Sequence, residues 1–77
     1  MKLTITKIDK VLWSGEADSV TVPAVSGEMT ILSHHMPLVT PLREGIITLK
    51  HKEGSDETYP INSGFLEVGT TETVILI

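Results

Sequence analysis

Turn-forming residues recur along this chain at intervals too short for helices. Glycine, proline, asparagine and aspartate interrupt it at roughly 8–10-residue intervals, a spacing typical of an antiparallel sandwich or barrel. The runs between them alternate apolar with polar residues, as in 19–22. No window of about 11 residues carries the apolar stripe of an amphipathic helix. The pattern predicts an all-β fold, an antiparallel β-sandwich of about nine to ten short strands.

The length of the chain limits it to one modest core. A chain of 77 residues is expected to form a single domain, here residues 1–77. Only 4% of its residues are aromatic, so aliphatic side chains must supply most of the buried surface. The predicted core positions are Val20, Val22, Ile47, Leu49, Phe65 and Val68.

Charge and composition exclude several classes of protein. Six Lys and Arg against ten Asp and Glu give a net charge of −4, and the basic residues are scattered. A nucleic-acid binder normally needs a clustered basic surface, so nucleic acid is not an expected partner. The absence of cysteine excludes a disulfide scaffold and a thiolate zinc site. No apolar run approaches the ~20 residues that cross a bilayer, and the N-terminus lacks the apolar region of a signal peptide.

The segment 26–38, SGEMTILSHHMPL, holds the residues that most resemble a chemical site. His34 and His35 are adjacent, and successive side chains of an extended segment point to opposite faces, so the two rarely bind one ion. The serines lie in turn contexts without a histidine and carboxylate to activate them. The glycines are dispersed, so no phosphate-binding loop is formed. We expect no catalytic residue, no metal and no cofactor.

The same segment has features of a binding surface. Gly27 follows a turn and is expected to need a positive φ or a close backbone approach. Glu28 is expected to project from that turn at one end of the sandwich. Met29 is a flexible apolar residue of a kind that adapts to partner proteins. These features favour a binding module but do not name its partner.

An ordered set of short motifs resembles a known family. They are S-G-E at 14–16, S-V-T-V-P at 19–23, G-E at 27–28, H-x-P-L at 35–38, G at 45 and S-G-F-L-E-V at 63–68. In this order and at these spacings, the chain resembles the N-terminal β-sandwich domain of the epsilon subunit of F-type ATP synthases. The likeness extends over nearly the whole chain.

The resemblance implies a non-catalytic subunit of the rotor stalk. Such a subunit binds the gamma subunit at one side and the polar loops of the membrane c-ring at the other, so that ion-driven rotation is coupled to ATP synthesis. It is implied to be peripheral, at the cytoplasmic face of the inner (plasma) membrane. Three residues match the c-ring-facing turn: Glu28, Met29 and Thr30. Three others match the region that faces gamma: His35, Pro37 and Leu38.

The chain departs from the family pattern at several points. Family members often have glycine at the position of Thr30 and P-G-H at the positions of 33–35. They usually continue into a C-terminal helical hairpin, whereas these residues end in a predicted strand, so a short form without the hairpin is expected. An alternative of another class stays open, namely an independent small β-sandwich that binds a ligand or a carbohydrate. In that case Trp13, otherwise expected in the core, would be the candidate sugar-stacking residue.

The absence of a phosphate-binding pattern predicts that these 77 residues do not sense nucleotide. In some longer members of the family, ATP binds to the C-terminal hairpin. A ligand that bound only the folded chain would raise its melting temperature. Titration with millimolar MgATP, followed by thermal unfolding, should therefore leave the melting temperature unchanged. A saturable rise would reveal a nucleotide site on the sandwich.

Overall fold

A computed structural model describes residues 1–51 and 54–77. Lys52 and Glu53, which the sequence assigns to a polar hairpin loop, lie outside the described residues. The described chain forms nine strands and no helix, which confirms the all-β prediction. Accordingly, it includes no helix long and apolar enough to cross a membrane. The strands are β1 (Lys2–Lys7), β2 (Lys10–Glu16), β3 (Ser19–Ala24), β4 (Gly27–Leu32), β5 (Leu38–Leu42), β6 (Gly45–Lys50), β7 (Glu57–Ile61), β8 (Gly64–Val68) and β9 (Thr73–Leu76).

The nine strands form one sheet that folds over into two layers. The first layer has the order β2-β1-β9-β8-β5, and the second has the order β4-β3-β6-β7. A single residue pair, Ala24 with Leu42, joins β3 to β5 and so connects the layers. Neighbouring strands run antiparallel except for β1 and β9, which are parallel. β9 therefore lies between β1 and β8, in the interior of the first layer.

Loops at alternating connections lie at opposite ends of the sandwich, because each strand reverses the direction of the one before it. The first end carries the turns at 8–9, 25–26, 43–44 and 62–63. The second end carries the connections at 17–18, 33–37 and 69–72, together with Met1, the last residue of β6 and the first residue of β7. The backbone N–H of Ala17 donates to the carbonyl of Met1 at 2.9 Å, which ties the N-terminus to this second end.

The core lies between the two layers. The predicted positions Val20, Val22, Ile47, Leu49 and Val68 are all buried, as the alternation of their strands required. Among the described residues, the buried apolar side chains are all aliphatic: Leu3, Ile5, Ala17, Val20, Val22, Ala24, Ile31, Leu42, Ile47, Leu49, Ile61, Leu66, Val68 and Ile75.

The prediction for Phe65 was wrong, because its side chain is 55% exposed. In β8 the buried residues are Leu66 and Val68, so Phe65 shares the outer face with Glu67. Its neighbours across the sheet are Pro41 on β5 and Leu76 on β9. Phe65 therefore contributes to an apolar row on the outside of the first layer.

The S-G-E motif at 14–16 lies inside β2, and the chain turns afterwards at Ala17 and Asp18. A Cβ atom on Gly15 would lie 3.3 Å from the ring of Trp13, so this glycine leaves room for the indole within the strand. The glycine reflects close packing and not a turn.

Residues 65 and 66 provide a matched test of the two faces of β8. Leu66→Ala should cost about 2–5 kcal/mol of unfolding free energy, because Leu66 is fully buried. Phe65→Ala, on the outer face, should cost about 1 kcal/mol despite removing the larger side chain. Urea unfolding of both variants measures the difference. Equal losses would contradict the outward orientation of Phe65.

Candidate partner-binding surfaces

Gly27 forms the exit of the turn at the first end. Its φ is 135°, a conformation that residues with a side chain rarely adopt and that glycine adopts readily. Nothing lies within 4 Å of the position that its Cβ would occupy. The predicted need for glycine is thus confirmed as a requirement of backbone conformation, not of a close approach.

The three residues matched to the c-ring lie in strand β4, not in the turn before it. Glu28 and Thr30 are exposed on the outer face of the second layer. Met29 points the other way and is half-buried against the core. A partner that approached the outer face would therefore meet Glu28 and Thr30, while Met29 chiefly supports the strand beneath them.

A row of threonines continues from Thr30 across the second layer. Thr30 pairs with Thr21 of β3, which pairs with Thr48 of β6, and Thr48 pairs with Thr58 of β7. The hydroxyl oxygens of Thr21 and Thr30 lie 2.9 Å apart, within hydrogen-bond distance. Each threonine occupies a polar position in a strand of alternating pattern, so the sequence predicts that its side chain lies on the outer face. The sequence does not predict that the four threonines lie side by side, because that depends on the register between strands.

The three residues matched to gamma lie in and after the loop 33–37 at the second end. His34 adopts a positive φ of 66°, which helps to turn the chain. The backbone N–H of His35 donates to the carbonyl of Leu32 at 3.3 Å, and its ring Nδ1 lies 2.7 Å from the carbonyl oxygen of Met36. Pro37 is exposed, whereas Leu38 is half-buried against the core. The loop is thus anchored at both sides.

Met36 is the residue of this loop that the sequence analysis missed. Its side chain is 78% exposed, at the tip of a loop otherwise held by hydrogen bonds. Pro37, the residue after it, is the signal in the sequence, because a proline often marks the interruption between two strands. The positive φ of His34 completes this interruption in the structure. An exposed methionine of this kind offers an adaptable apolar contact to a partner.

The loop borders an open cavity of about 280 Å³. The cavity lies between residues 32–35, residues 69–73 and the first two residues of the chain. The N-terminal ammonium group donates to the carbonyl of Ala17 at 2.7 Å and lies 3.4 Å from the hydroxyl of Ser33. The second end therefore combines the gamma-matched loop with a polar hollow.

The third histidine has other partners. Nε2 of His51 lies 2.7 Å from Oε2 of Glu57, and its ring is 5.5 Å from the ring of Trp13. Trp13 is half-buried and packs against the core, so its ring is not a free surface for stacking a sugar.

Burial, followed by the nearby Glu57 carboxylate, raises the pKa of the Tyr59 hydroxyl above its ordinary value. In the part of the chain that the structure describes, no three His, Asp or Glu side chains are grouped to hold a metal.

The outer face of the first layer carries an exposed apolar patch that the sequence analysis did not identify. Val39, Phe65 and Leu76 are all exposed there, and Pro41 lies beside Phe65. The charged Glu67 between Leu66 and Val68 is the signal that marks this face as outward. Such a patch on a small protein is a common feature of contact surfaces.

The two sets of matched residues lie towards opposite ends of the molecule. Glu28 pairs with Pro23, next to the turn at the first end. His35 and Pro37 lie in the connection at the second end. One small rigid body can thus contact two different partners at once.

Comparison with known proteins gives consistent matches. The family model for the β-sandwich domain of the ATP synthase delta/epsilon chain matches residues 1–77. The chain is 36% identical to the ATP synthase epsilon chain of Moorella thermoacetica over 76 residues, which covers 99% of this chain and 57% of that protein. It is 42% identical to the epsilon chain of a Dehalococcoides mccartyi strain, with 99% and 54% covered. The chain therefore spans about half the length of these relatives.

Solved structures agree with the sequence relatives. A chain of the Euglena gracilis mitochondrial ATP synthase, in a structure that includes the c-ring, matches with a TM-score of 0.88 and 30% identity, over 96% of this chain and 48% of that chain. A chain from the central stalk and c-ring of the Tetrahymena thermophila enzyme matches with a TM-score of 0.83, over 99% of this chain and 61% of that chain. At 14% identity, this second likeness concerns the fold alone.

The turn before Glu28 depends on the positive φ of Gly27. Gly27→Ala should cost about 1–3 kcal/mol, because alanine is strained in this conformation even where space is free. Ser26→Ala, at an exposed position in the same turn, should change stability by no more than about 0.5 kcal/mol. Urea unfolding distinguishes the two. An unaffected Gly27→Ala variant would show that the turn adopts another conformation.

Proposed function

This chain belongs to the delta/epsilon family of ATP synthase subunits, and we propose that it is a non-catalytic rotor-stalk subunit that binds gamma and the c-ring. The observation that carries the proposal is the family match over all of residues 1–77. The subunit transmits rotation driven by ion flow to the sites of ATP synthesis and has no active site of its own. Residues 1–77 act in it as one domain, peripheral to the membrane, at the cytoplasmic face.

The proposed c-ring contact is at the first end, around Glu28 and Thr30. The exposed carboxylate of Glu28 attracts basic side chains of polar loops. An exposed ion pair contributes only ~0–1 kcal/mol, so the charge directs the orientation more than it sets the affinity. Met29 takes part by holding the strand on the core.

The proposed gamma contact is at the second end, around His35, Pro37 and Leu38. Leu38 packs against the core and Pro37 restricts the backbone, so the loop is largely preformed. A preformed loop loses less conformational entropy when it binds. Met36, exposed at the tip, adds an apolar side chain that can adapt to the surface of gamma.

Single cysteines test both contacts, since these 77 residues contain none. In the assembled complex, Glu28→Cys should cross-link to a cysteine in the c-ring loop, and Pro37→Cys should cross-link to gamma. Thr58→Cys, exposed on β7 and in neither contact set, is the control and should give neither product. Mass spectrometry of the cross-linked bands identifies the partners.

The outcomes separate orientation from function. If Glu28→Cys reacts with gamma and Pro37→Cys with the c-ring, the domain is inverted in the stalk but the function stands. If wild-type chain fails to capture gamma or the c-ring in a pull-down, the rotor-subunit proposal is wrong.

A further inference from the structure

Strand β4 forms an open edge of the second layer. It pairs with β3 along its full length, from Ala24 opposite Gly27 to Ser19 opposite Leu32. Within the described chain no strand pairs with its other side. Half of its backbone hydrogen-bonding groups are therefore directed away from the rest of the sheet.

The backbone geometry of β3 identifies those groups. The carbonyl of Pro23 accepts a bond from the N–H of Arg43 at 2.9 Å, on the side of β3 away from β4. Since backbone groups alternate in direction along a strand, the backbone of Thr21 also points away from β4. Their partners Glu28 and Thr30 are then in non-hydrogen-bonded pairs, which agrees with the 2.9 Å hydroxyl contact of Thr21 and Thr30. The N–H and C=O groups of Glu28 and Thr30 face the open edge.

The other outer strands carry features that discourage pairing. β5 contains Pro41 and β7 contains Pro60, each of which lacks a backbone donor. The register of β2 against β1 shifts after Trp13, so that Leu12 has no partner. β4 has neither a proline nor a register shift, and its one charge is Glu28. Among the outer strands, β4 is the one left suited to accept another strand.

We propose that the open edge of β4 binds an extended segment of a c-ring loop through main-chain hydrogen bonds, because the backbone groups that face this edge belong to Glu28 and Thr30, the residues of the proposed c-ring contact. Strand addition of this kind takes its affinity from the backbone and its selectivity from alternating side chains. A residue opposite Glu28 would have its Cβ about 4.5–5.5 Å away, so the segment should carry Lys or Arg there. The proposal rests on the proposed function, because that function makes the partner a part of the rotor. It adds how that partner is bound.

Thr30→Pro tests the edge directly. It removes an N–H that points outwards, while the bonds from β4 to β3 come from Gly27, Met29 and Ile31. Proline is tolerated in edge strands at such positions. Thr30→Val is the matched control, because both variants lose the hydroxyl contact with Thr21 but valine keeps the backbone N–H. Met29→Pro should break a bond to β3 and destabilise the fold.

The probe is the purified complex of gamma and the c-ring from the same ATP synthase. Thr30→Pro should bind it at least about tenfold more weakly than Thr30→Val, because both variants lose the hydroxyl and only proline leaves one partner carbonyl unpaired. Hydrogen exchange of the wild-type chain gives a second measurement that needs no variant. The amides of Glu28 and Thr30 should exchange quickly in the free chain and slowly in the complex.

The results distinguish this proposal from the proposed function. If wild-type chain binds but its Glu28 and Thr30 amides stay unprotected, or folded Thr30→Pro binds like Thr30→Val, the edge proposal is overturned alone. If wild-type chain does not bind the complex, both proposals fail. If these amides become protected in the free chain as its concentration rises, a second copy occupies the edge, and the assignment to a c-ring loop is wrong.

Discussion

The connection between β3 and the chain at 41–43 determines how the two layers meet. The N–H of Val25 donates to the carbonyl of Pro41 at 3.1 Å, and the N–H of Arg43 donates to that of Pro23 at 2.9 Å. Both prolines thus supply a carbonyl acceptor to this corner, although neither has a backbone N–H to donate. These bonds let the chain pass from β5 in the first layer to β6 in the second without exposing the core. Every other pairing extends from this corner.

Much of the fold follows from local chemistry that the sequence displays. The alternation of apolar and polar residues in strands such as 19–24 predicts which valines are buried, and the turn residues between strands limit each strand to a few residues. The failures have physical causes. Phe65 was assigned to the core, although the position of Glu67 in the same strand indicates the opposite face. Gly15 is of a residue type common in turns, yet it lies inside β2, where it accommodates the ring of Trp13.

The candidate surfaces could be predicted from the sequence only in part. The resemblance supplied Glu28 and His35 and implied that they face different partners, but not that Glu28 lies within a strand. The apolar patch around Phe65 requires the cross-strand neighbours on β5 and β9. The open edge of β4 depends on which strand bonds to its other side. Such long-range pairing leaves no mark on the side chains of the strand itself.

The position of β9 has a consequence for how the chain is made. β9 fills the gap between β8 and β1, and its register with β1 joins residues far apart in sequence, such as Leu3 and Thr73. During synthesis, the first layer cannot be completed until residues 73–76 have left the ribosome, and until then the facing edges of β1 and β8 have no partner. The second layer consists of β3, β4, β6 and β7, which all lie within residues 19–61, so it can assemble earlier. Pairings between distant residues slow folding, so the nascent chain is exposed to chaperones and to strand-pairing errors mainly through the unfinished first layer.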